Sequence, residues 1–122
     1  AKEALLQHPL ALVCWRKNTL LIADSYNHKI KKLDLGSSRI ETLAGSGRAG
    51  NGESSGGNLE FSEPGGLALL NEKLYIADTN NHRIMVLDLQ NNDCRQLSLT
   101  EGNSAGLPYL PNLSKLTLAK KR

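Results

Sequence analysis

The chain has 122 residues, of which 39% are hydrophobic and 22% charged, and its formal net charge is +3. The hydrophobic fraction excludes the composition of an intrinsically disordered chain. The small positive excess permits a nucleic-acid or acidic partner without arguing for one. No apolar run approaches the roughly 20 residues that a membrane-spanning helix needs, so no membrane partner is predicted.

The predicted elements are short strands, because brief apolar runs alternate with turns rich in Gly, Asn, Asp and Ser. No long stretch has the 3.6-residue apolar period of a helix. The first four strands are predicted at residues 10–14, 19–24, 29–35 and 39–44. After a Gly- and Ser-rich loop, four more are predicted at residues 66–70, 73–78, 83–89 and 94–99. The sequence therefore predicts an all-β fold.

An internal repeat relates the two sets of strands. Residues 22–35 read IADSYNHKIKKLDL and residues 76–89 read IADTNNHRIMVLDL, with nine of 14 positions identical. The second copy carries Met85 and Val86, which make its third strand apolar on both faces and favour a sheet covered on both sides. Lys31 and Lys32 replace them in the first copy, so we expect lysine stems to cover that strand.

These patterns predict two four-stranded antiparallel blades of a β-propeller. Residues 1–44 form the first predicted blade, 45–58 the Gly/Ser-rich inter-blade loop, and 59–99 the second blade. Residues 100–122 are a predicted Pro-containing connector, in which 115–119 are apolar enough for one further strand. Because a ring needs about 4–8 blades, two blades do not close one, and we expect these to be a fragment of a larger ring.

The core Asp-X-X-Asn-His-[Lys/Arg]-Ile, present at 24–30 and 78–84, resembles the NHL repeat. The resemblance covers about residues 5–99, and one departure is Ala11, where the family usually has Gly. The run LQHP at 6–9 looks like part of the penultimate repeat of redoxin-propeller proteins, EPGGL at 63–67 like part of their last repeat, and LPYLP at 107–111 like their exit from the propeller. The resemblance implies that the two blades are a fragment of a six-bladed ring. This resemblance implies an upstream thioredoxin-like (redoxin-like) domain and a cytosolic (cytoplasmic) location, or a chloroplast thylakoid location for a plant homologue.

The polar constellation of the repeat is predicted to be structural. It comprises Asp24, Asn27, His28, Asp78, Asn81 and His82. An Asp/His pair suits acid–base chemistry. A feature present in both copies, however, is more typical of a structural requirement of the repeat than of an active site. We predict that Asp accepts hydrogen bonds from the turn backbone, that Asn adopts a positive φ, and that the imidazole donates a bond to the turn.

No catalytic, cofactor-binding or metal-binding residues are predicted. Residues 45–50 match Gly-X-Gly-X-X-Gly, but the Gly- and Ser-rich residues 51–57 do not favour the helix that a dinucleotide site requires, so the match is interpreted as loop. The histidines have no zinc-like spacing, and Cys14 and Cys94 are predicted to be packed thiols without a disulfide. A possible contact surface is predicted from exposed aromatic and basic turn residues: Trp15, Arg16, Tyr26 and Lys29.

The leading functional hypothesis is a non-catalytic interaction scaffold, part of a thioredoxin-plus-NHL-propeller protein, with no cofactor and with an unknown protein partner. A first alternative is an RNA-binding propeller similar to those of tripartite-motif proteins. Its candidate cations are Arg16, Lys17, Lys29, Lys31, Lys32 and Arg48. The alternative ranked last is an enzyme resembling the peptide-amidating lyases, which use NHL-type blades.

Overall fold

The computed structural model describes residues 5–52 and 59–102 of the chain. Two four-stranded antiparallel sheets account for its strands, each with the strands in sequence order. Blade one consists of β1 (Pro9–Cys14), β2 (Thr19–Asp24), β3 (Lys29–Asp34) and β4 (Arg39–Ala44). Blade two consists of β5 (Pro64–Leu70), β6 (Lys73–Asp78), β7 (Arg83–Asp88) and β8 (Cys94–Gln96). The predicted all-β fold with two antiparallel blades is confirmed.

Helical structure within the described ranges is limited to two 3-10 turns, Ser25–Asn27 and Thr79–Asn81. Each turn joins the second strand of a blade to the third. In these ranges no helix has the length and apolarity required to cross a bilayer. The further strand predicted at 115–119 and the LPYLP run lie outside the described residues, as do residues 53–58 of the inter-blade loop.

Several strand ends differ from the sequence prediction. Strands β3 and β7 end one residue earlier than predicted, at Asp34 and Asp88. The N–H groups of Leu35 and Leu89 bond to the carbonyls of Asn18 and Glu72 in the neighbouring turn. Strands β1 and β5 begin earlier than predicted, each at a proline. Strand β8 stops at Gln96, and the prediction that it reaches Leu99 was wrong. Leu99 is 71% exposed, so extending the strand would bury little apolar surface there.

The hydrophobic core lies between the two blades. Side chains on adjacent strands that are directly opposite in register share a face. Blade two directs Leu74 and Leu87 toward blade one, and blade one contributes Leu21 and Ile30 to the same cluster. Phe61, in the segment that precedes β5, is also fully buried there. The stability of the pair therefore depends on face-to-face stacking of the sheets.

The faces directed away from this core are less covered. On blade one, Leu12 is 60% exposed beside Ile22. On blade two, Ala68, Tyr75 and Ile84 line an open apolar depression. Exposed apolar faces of this kind are typical of propeller blades seen without further neighbours.

Candidate functional site

In blade two, the repeated polar residues form a closed hydrogen-bond network around Asp78. This side chain is fully buried at the end of β6. Its Oδ1 accepts the backbone N–H of Ser62 at 2.7 Å, and its Oδ2 accepts Asn81 Nδ2 and Arg83 Nε, both at 2.8 Å. Both carboxylate oxygens are therefore engaged, and the charge is compensated by a guanidinium that is itself nearly buried.

Blade one builds the same network around Asp24 with a different cation. Oδ1 accepts the N–H of Gln7 at 2.7 Å, and Oδ2 accepts Asn27 Nδ2 at 2.7 Å. The positive charge comes from Lys31 on β3, whose Nζ lies 2.7 Å from Oδ2. Lys29, which occupies the sequence position of Arg83, forms no ion pair among the described residues. The sequence repeat therefore does not fix which residue supplies the cation.

The Asp24 carboxyl stays ionised despite its burial. Desolvation by burial would raise its pKa, but hydrogen bonds from Lys31, Asn27 and the Gln7 N–H outweigh that effect. The pKa is consequently lowered from its ordinary value. An ionised carboxylate with hydrogen-bonded partners on both oxygens is a structural anchor, because it offers no accessible proton-transfer site.

The predicted source of the backbone donor was wrong. We expected each Asp to accept from the backbone of the turn that follows it, but the donors are Gln7 and Ser62, which precede the first strand of each blade. The turn supplies only its Asn side chain. Each carboxylate therefore ties the beginning of its blade to the end of the second strand.

The histidines, rather than the asparagines, adopt the left-handed backbone conformation. His28 has φ 56° and His82 φ 54°, whereas Asn27 and Asn81 lie within the 3-10 turns. The prediction of a donating imidazole was also wrong, since His28 Nδ1 accepts the backbone N–H of Glu63 at 3.0 Å. That geometry requires an unprotonated Nδ1, with any ring proton on Nε2. Because Glu63 belongs to blade two, this bond joins the blades.

Asn81 and Arg83 also hold the loop that leads from blade one to blade two. Asn81 Nδ2 donates to the carbonyl of Gly50 at 2.7 Å. Arg83 donates through Nη1 to the carbonyl of Asn51 at 3.3 Å and through Nη2 to the carbonyl of Glu60 at 2.9 Å. The repeat motif therefore links its own carboxylate and the connecting loop in one network.

The Gly-X-Gly-X-X-Gly match at residues 45–50 is part of this connection and begins no helix. Gly45 has φ 101°, and a Cβ there would lie 2.6 Å from the carbonyl oxygen of His28, so the chain passes too closely for a side chain. A Cβ on Gly47 would lie 3.0 Å from Cε of Lys29, which places that lysine beside the loop. The glycines permit close backbone packing here.

Two of the predicted contact residues, Tyr26 and Lys29, lie at the motif end of blade one. Tyr26 is 52% exposed, and its ring stacks on His8 with centroids 4.5 Å apart and planes 14° apart. Blade two has Glu63 and Asn80 at the equivalent positions, so this aromatic pair is not repeated.

The other two predicted contact residues, Trp15 and Arg16, lie at the opposite end of β2. Trp15 Nε1 donates to both carboxylate oxygens of Glu72 at 3.2 Å, and Arg16 Nη2 lies 3.1 Å from Oε1. The guanidinium also stacks over the indole at 4.2 Å. The structure therefore does not bring the four predicted residues together. Glu72 was missed because it occupies an ordinary turn with no repeat signal.

Metal-ligand clusters are not found within the described residues, where no group of three or more His, Cys, Asp or Glu side chains converges. Neither cysteine forms a disulfide. Cys94 is buried in the inter-blade core, and burial raises the pKa of its thiol to about 11, although the charge of Arg83 acts in the opposite direction. Cys14 is exposed, so the prediction that both thiols are packed was wrong for this residue.

Comparison with known proteins identifies similar sequences. A family model for the NHL repeat matches residues 61–87. The chain is 41% identical over 121 residues to Protein SUPPRESSOR OF QUENCHING 1, chloroplastic, of Arabidopsis thaliana, which covers 98% of this chain. It is 44% identical to NHL repeat-containing protein 2 of Homo sapiens over an alignment of 125 residues that covers 97% of this chain. The Bos taurus protein of the same name is 52% identical over an alignment of 93 residues that covers 72% of this chain.

The chain spans only a small part of each relative: 11% of the Arabidopsis protein, 17% of the human protein and 13% of the bovine protein. The similarity nevertheless extends along nearly the whole of this chain in the first two cases. Together with two antiparallel four-stranded sheets built around the same buried motif, it shows an NHL-repeat family resemblance, and the two sheets have the architecture of NHL propeller blades.

Proposed function

We propose that this chain is part of a non-catalytic β-propeller that serves as an interaction scaffold. The observation that carries this proposal is the engagement of both buried carboxylates of the polar motif in structural bonds. Asp24 and Asp78 are fully buried, and each binds its partners through both carboxylate oxygens. His28 bonds to the neighbouring blade rather than to either carboxylate. The motif therefore holds blades in place and leaves the exposed, non-repeated side chains available for partners.

A catalytic role has little support from this geometry. A general acid or base must reach a substrate proton within hydrogen-bond distance, directly or through one water. The buried carboxylates are enclosed by their protein partners. The lyase alternative predicts that the purified protein turns over a substrate of the peptide-amidating lyases. We expect no turnover.

The RNA-binding alternative is weakened by the pairing of the cations. Four of the six basic side chains considered for RNA contact are ion-paired with carboxylates: Arg16 with Glu72, Lys31 with Asp24, Lys32 with Glu41, and Arg48 with Glu60. Arg16 and Lys29 also lie at opposite ends of β2. A continuous basic groove with stacked aromatic rings, as single-stranded RNA binding requires, is not formed by these residues.

We extend the proposal to a thioredoxin-plus-propeller protein of the cytosol, or of the chloroplast in a plant. Its support is the resemblance of residues 6–9 and 107–111 to redoxin-propeller proteins, together with the chloroplastic relative from Arabidopsis thaliana. The full-length open reading frame tests it directly. We expect an upstream thioredoxin-like domain, whereas a RING and B-box region in that place would contradict the proposal.

The scaffold function is tested by affinity purification of the tagged full-length protein with and without ribonuclease. We expect to recover specific protein partners in the presence of ribonuclease. Their recovered amount should fall in the double variant Arg16→Ser/Tyr26→Ser, which replaces one exposed side chain at each end of β2. The matched control is Lys17→Ser, which removes an exposed charge from the turn that contains Arg16.

A parallel RNA experiment distinguishes the alternative. Mobility shifts with a single-stranded RNA are measured at about 50 and 200 mM salt, because contacts to phosphates lose affinity steeply over this range. Tight binding that falls with salt, together with partners that disappear after ribonuclease, would replace the scaffold proposal with the RNA-binding one.

A further inference from the structure

A pocket of about 270 Å³ lies at the end of blade one opposite the repeat motif. It opens beside the β1–β2 turn and the beginning of β4. Its walls combine an indole with charged side chains: Trp15, Arg16, Lys32, Asp34, Arg39 and Glu41. Its size suits one or two side chains of a ligand.

Three of the residues that form this pocket, Trp15, Lys32 and Glu41, interrupt the internal repeat, whereas Asp34 is matched by Asp88. Equivalent positions are identified from the strand registers, in which Cys14 pairs with Leu20 and Leu69 pairs with Leu74. Trp15 therefore stands where blade two has Leu70.

The charged wall departs from the repeat in the same way. Lys32 stands where blade two has Val86, which is only 4% exposed. Glu41 stands where blade two has Arg95, because Glu41 is the cross-strand partner of Lys32 and Arg95 is that of Val86. Blade two forms the same strands without these residues, so strand formation does not require the pocket.

The charges of the pocket are incompletely paired. Lys32 Nζ lies 3.4 Å and Arg39 Nε 3.9 Å from the carboxylate of Glu41, and within the described residues neither cation pairs with another carboxylate. Asp34 Oδ1 accepts the backbone N–H of Gly36 at 2.8 Å, and no ion pair of Asp34 is found within the described residues. Two cations therefore share one carboxylate at separations longer than an optimal charged hydrogen bond.

The apolar wall is held in a fixed position. The indole N–H of Trp15 is bound by Glu72 from blade two, and Arg16 stacks on one face of the ring. A side chain fixed on both sides loses little conformational entropy when a ligand contacts it. The pocket thus combines a preorganised aromatic surface with two cations whose close ion pairs both go to Glu41.

We propose that this pocket binds an acidic segment of a partner protein. A Glu or Asp carboxylate lies between Lys32 and Arg39, and an adjacent apolar side chain packs on Trp15. The proposal deepens the scaffold function above and rests on it. Charge complementarity identifies the occupant, because a second carboxylate completes the pairing that Glu41 alone does not provide.

Trp15 provides a local reporter, because it is the single tryptophan of the chain. The probe is the peptide acetyl-Leu-Glu-Gly-amide, titrated while tryptophan fluorescence is recorded, with acetyl-Leu-Gln-Gly-amide as the neutral comparison. We expect a saturable change with the Glu peptide only. Raising the salt from about 50 to 500 mM weakens it, because the contact is a partly exposed charge pair.

Variants then test the assigned residues. Two variants should each lower the affinity for the Glu peptide by about fivefold or more, as expected for loss of one charged contact. They are Lys32→Val, which introduces the residue found in blade two, and Arg39→Ser. Lys17→Ser removes an equal charge from outside the pocket and leaves the affinity unchanged. Equal weakening by Lys17→Ser, or equal binding of the Gln peptide, would overturn the assignment.

Free dicarboxylates share the chemistry of the peptide and form a separate arm of the experiment. Glutarate is expected to bind more weakly, because it lacks the apolar group that packs on Trp15. If glutarate binds as tightly as the peptide, the assignment to a protein segment is wrong. If Lys32→Val leaves both peptide and partner binding intact, the pocket assignment fails while the scaffold function stands. If no protein partner is found at all, the scaffold function itself fails.

Discussion

Blade one and blade two share strand order, turn geometry and a buried aspartate, but they differ in how deeply the surrounding residues are packed. The network of Asp78 is completed by Arg83, whose side chain is 4% exposed, whereas Asp24 is paired with the more accessible Lys31. Phe61, before β5, is fully buried, while Leu6 at the equivalent place before β1 is 40% exposed.

This difference follows from position in the stack. The segment preceding β5 lies against blade one, and the connecting loop lies along it. Its counterpart preceding β1 has no described neighbour on that side. The same sequence unit therefore contributes more to the free energy of unfolding when another blade covers it. This is expected for repeat proteins, in which stability is the sum of the stability of each repeat and of the interfaces between neighbouring repeats.

The largest expected effect is the loss of Phe61. Replacing it with Ala leaves a cavity in the inter-blade core and is expected to lower the free energy of unfolding by about 3–5 kcal/mol. Leu6→Ala is the matched change in blade one, and we expect it to cost less than about 1 kcal/mol because the side chain is already partly hydrated. Urea unfolding followed by circular dichroism measures both. Equal losses would contradict the difference in packing between the blades.

The next effect comes from the buried carboxylates. Asp78→Ala is expected to cost about 3 kcal/mol, since it removes the buried acceptor of three hydrogen bonds, from Ser62, Asn81 and Arg83. Asp24→Ala is expected to cost about 1–2 kcal/mol, because Lys31 can turn its ammonium toward water.

Asp93→Ala serves as the control for this comparison. Its side chain is exposed, and we expect a change within about 0.5 kcal/mol. Thermal or urea unfolding of the three variants gives the ranking. A larger loss for Asp24→Ala than for Asp78→Ala would show that accessibility of the cation does not determine the cost.

The sequence was sufficient to predict the two blades, because the repeat at 22–35 and 76–89 carries the apolar pattern of the strands twice. It was insufficient for contacts that depend on stacking. The bond between His28 and Glu63 joins residues 35 apart, and that between Trp15 and Glu72 joins residues 57 apart. Neither Glu63 nor Glu72 belongs to the repeated motif, so the sequence does not identify them as partners. The αL position of His28 was also missed, since Asn is ordinarily the better candidate for a positive φ.

A smaller effect distinguishes the two histidines. His28→Asn keeps a residue that tolerates the left-handed conformation but withdraws the acceptor from the Glu63 N–H, which should cost about 1 kcal/mol. The equivalent His82→Asn is expected to be nearly neutral, because no ring hydrogen bond of His82 is found within the described residues. Amide hydrogen exchange measures this locally. We expect faster exchange at Glu63 in His28→Asn and no change there in His82→Asn.

The smallest perturbation is chemical labelling of the cysteines, which leaves the fold intact. At about pH 8 an aromatic disulfide reagent should modify Cys14 readily, whereas Cys94 is protected by burial and by a thiol pKa of about 11. Cys14→Ser should abolish the fast reaction, and denaturant should expose the second thiol. Two equally fast thiols in the native protein would contradict the packing of Cys94.

The slow reaction also measures separation of the blades. Cys94 belongs to the core cluster between them, so we expect a reagent to reach it when blade two opens away from blade one. In the Cys14→Ser background, Phe61→Ala weakens that core and is expected to accelerate labelling of Cys94, while Leu6→Ala is not. If both changes accelerate labelling equally, Cys94 becomes accessible by unfolding of the whole chain, and blade separation does not occur as a distinct opening.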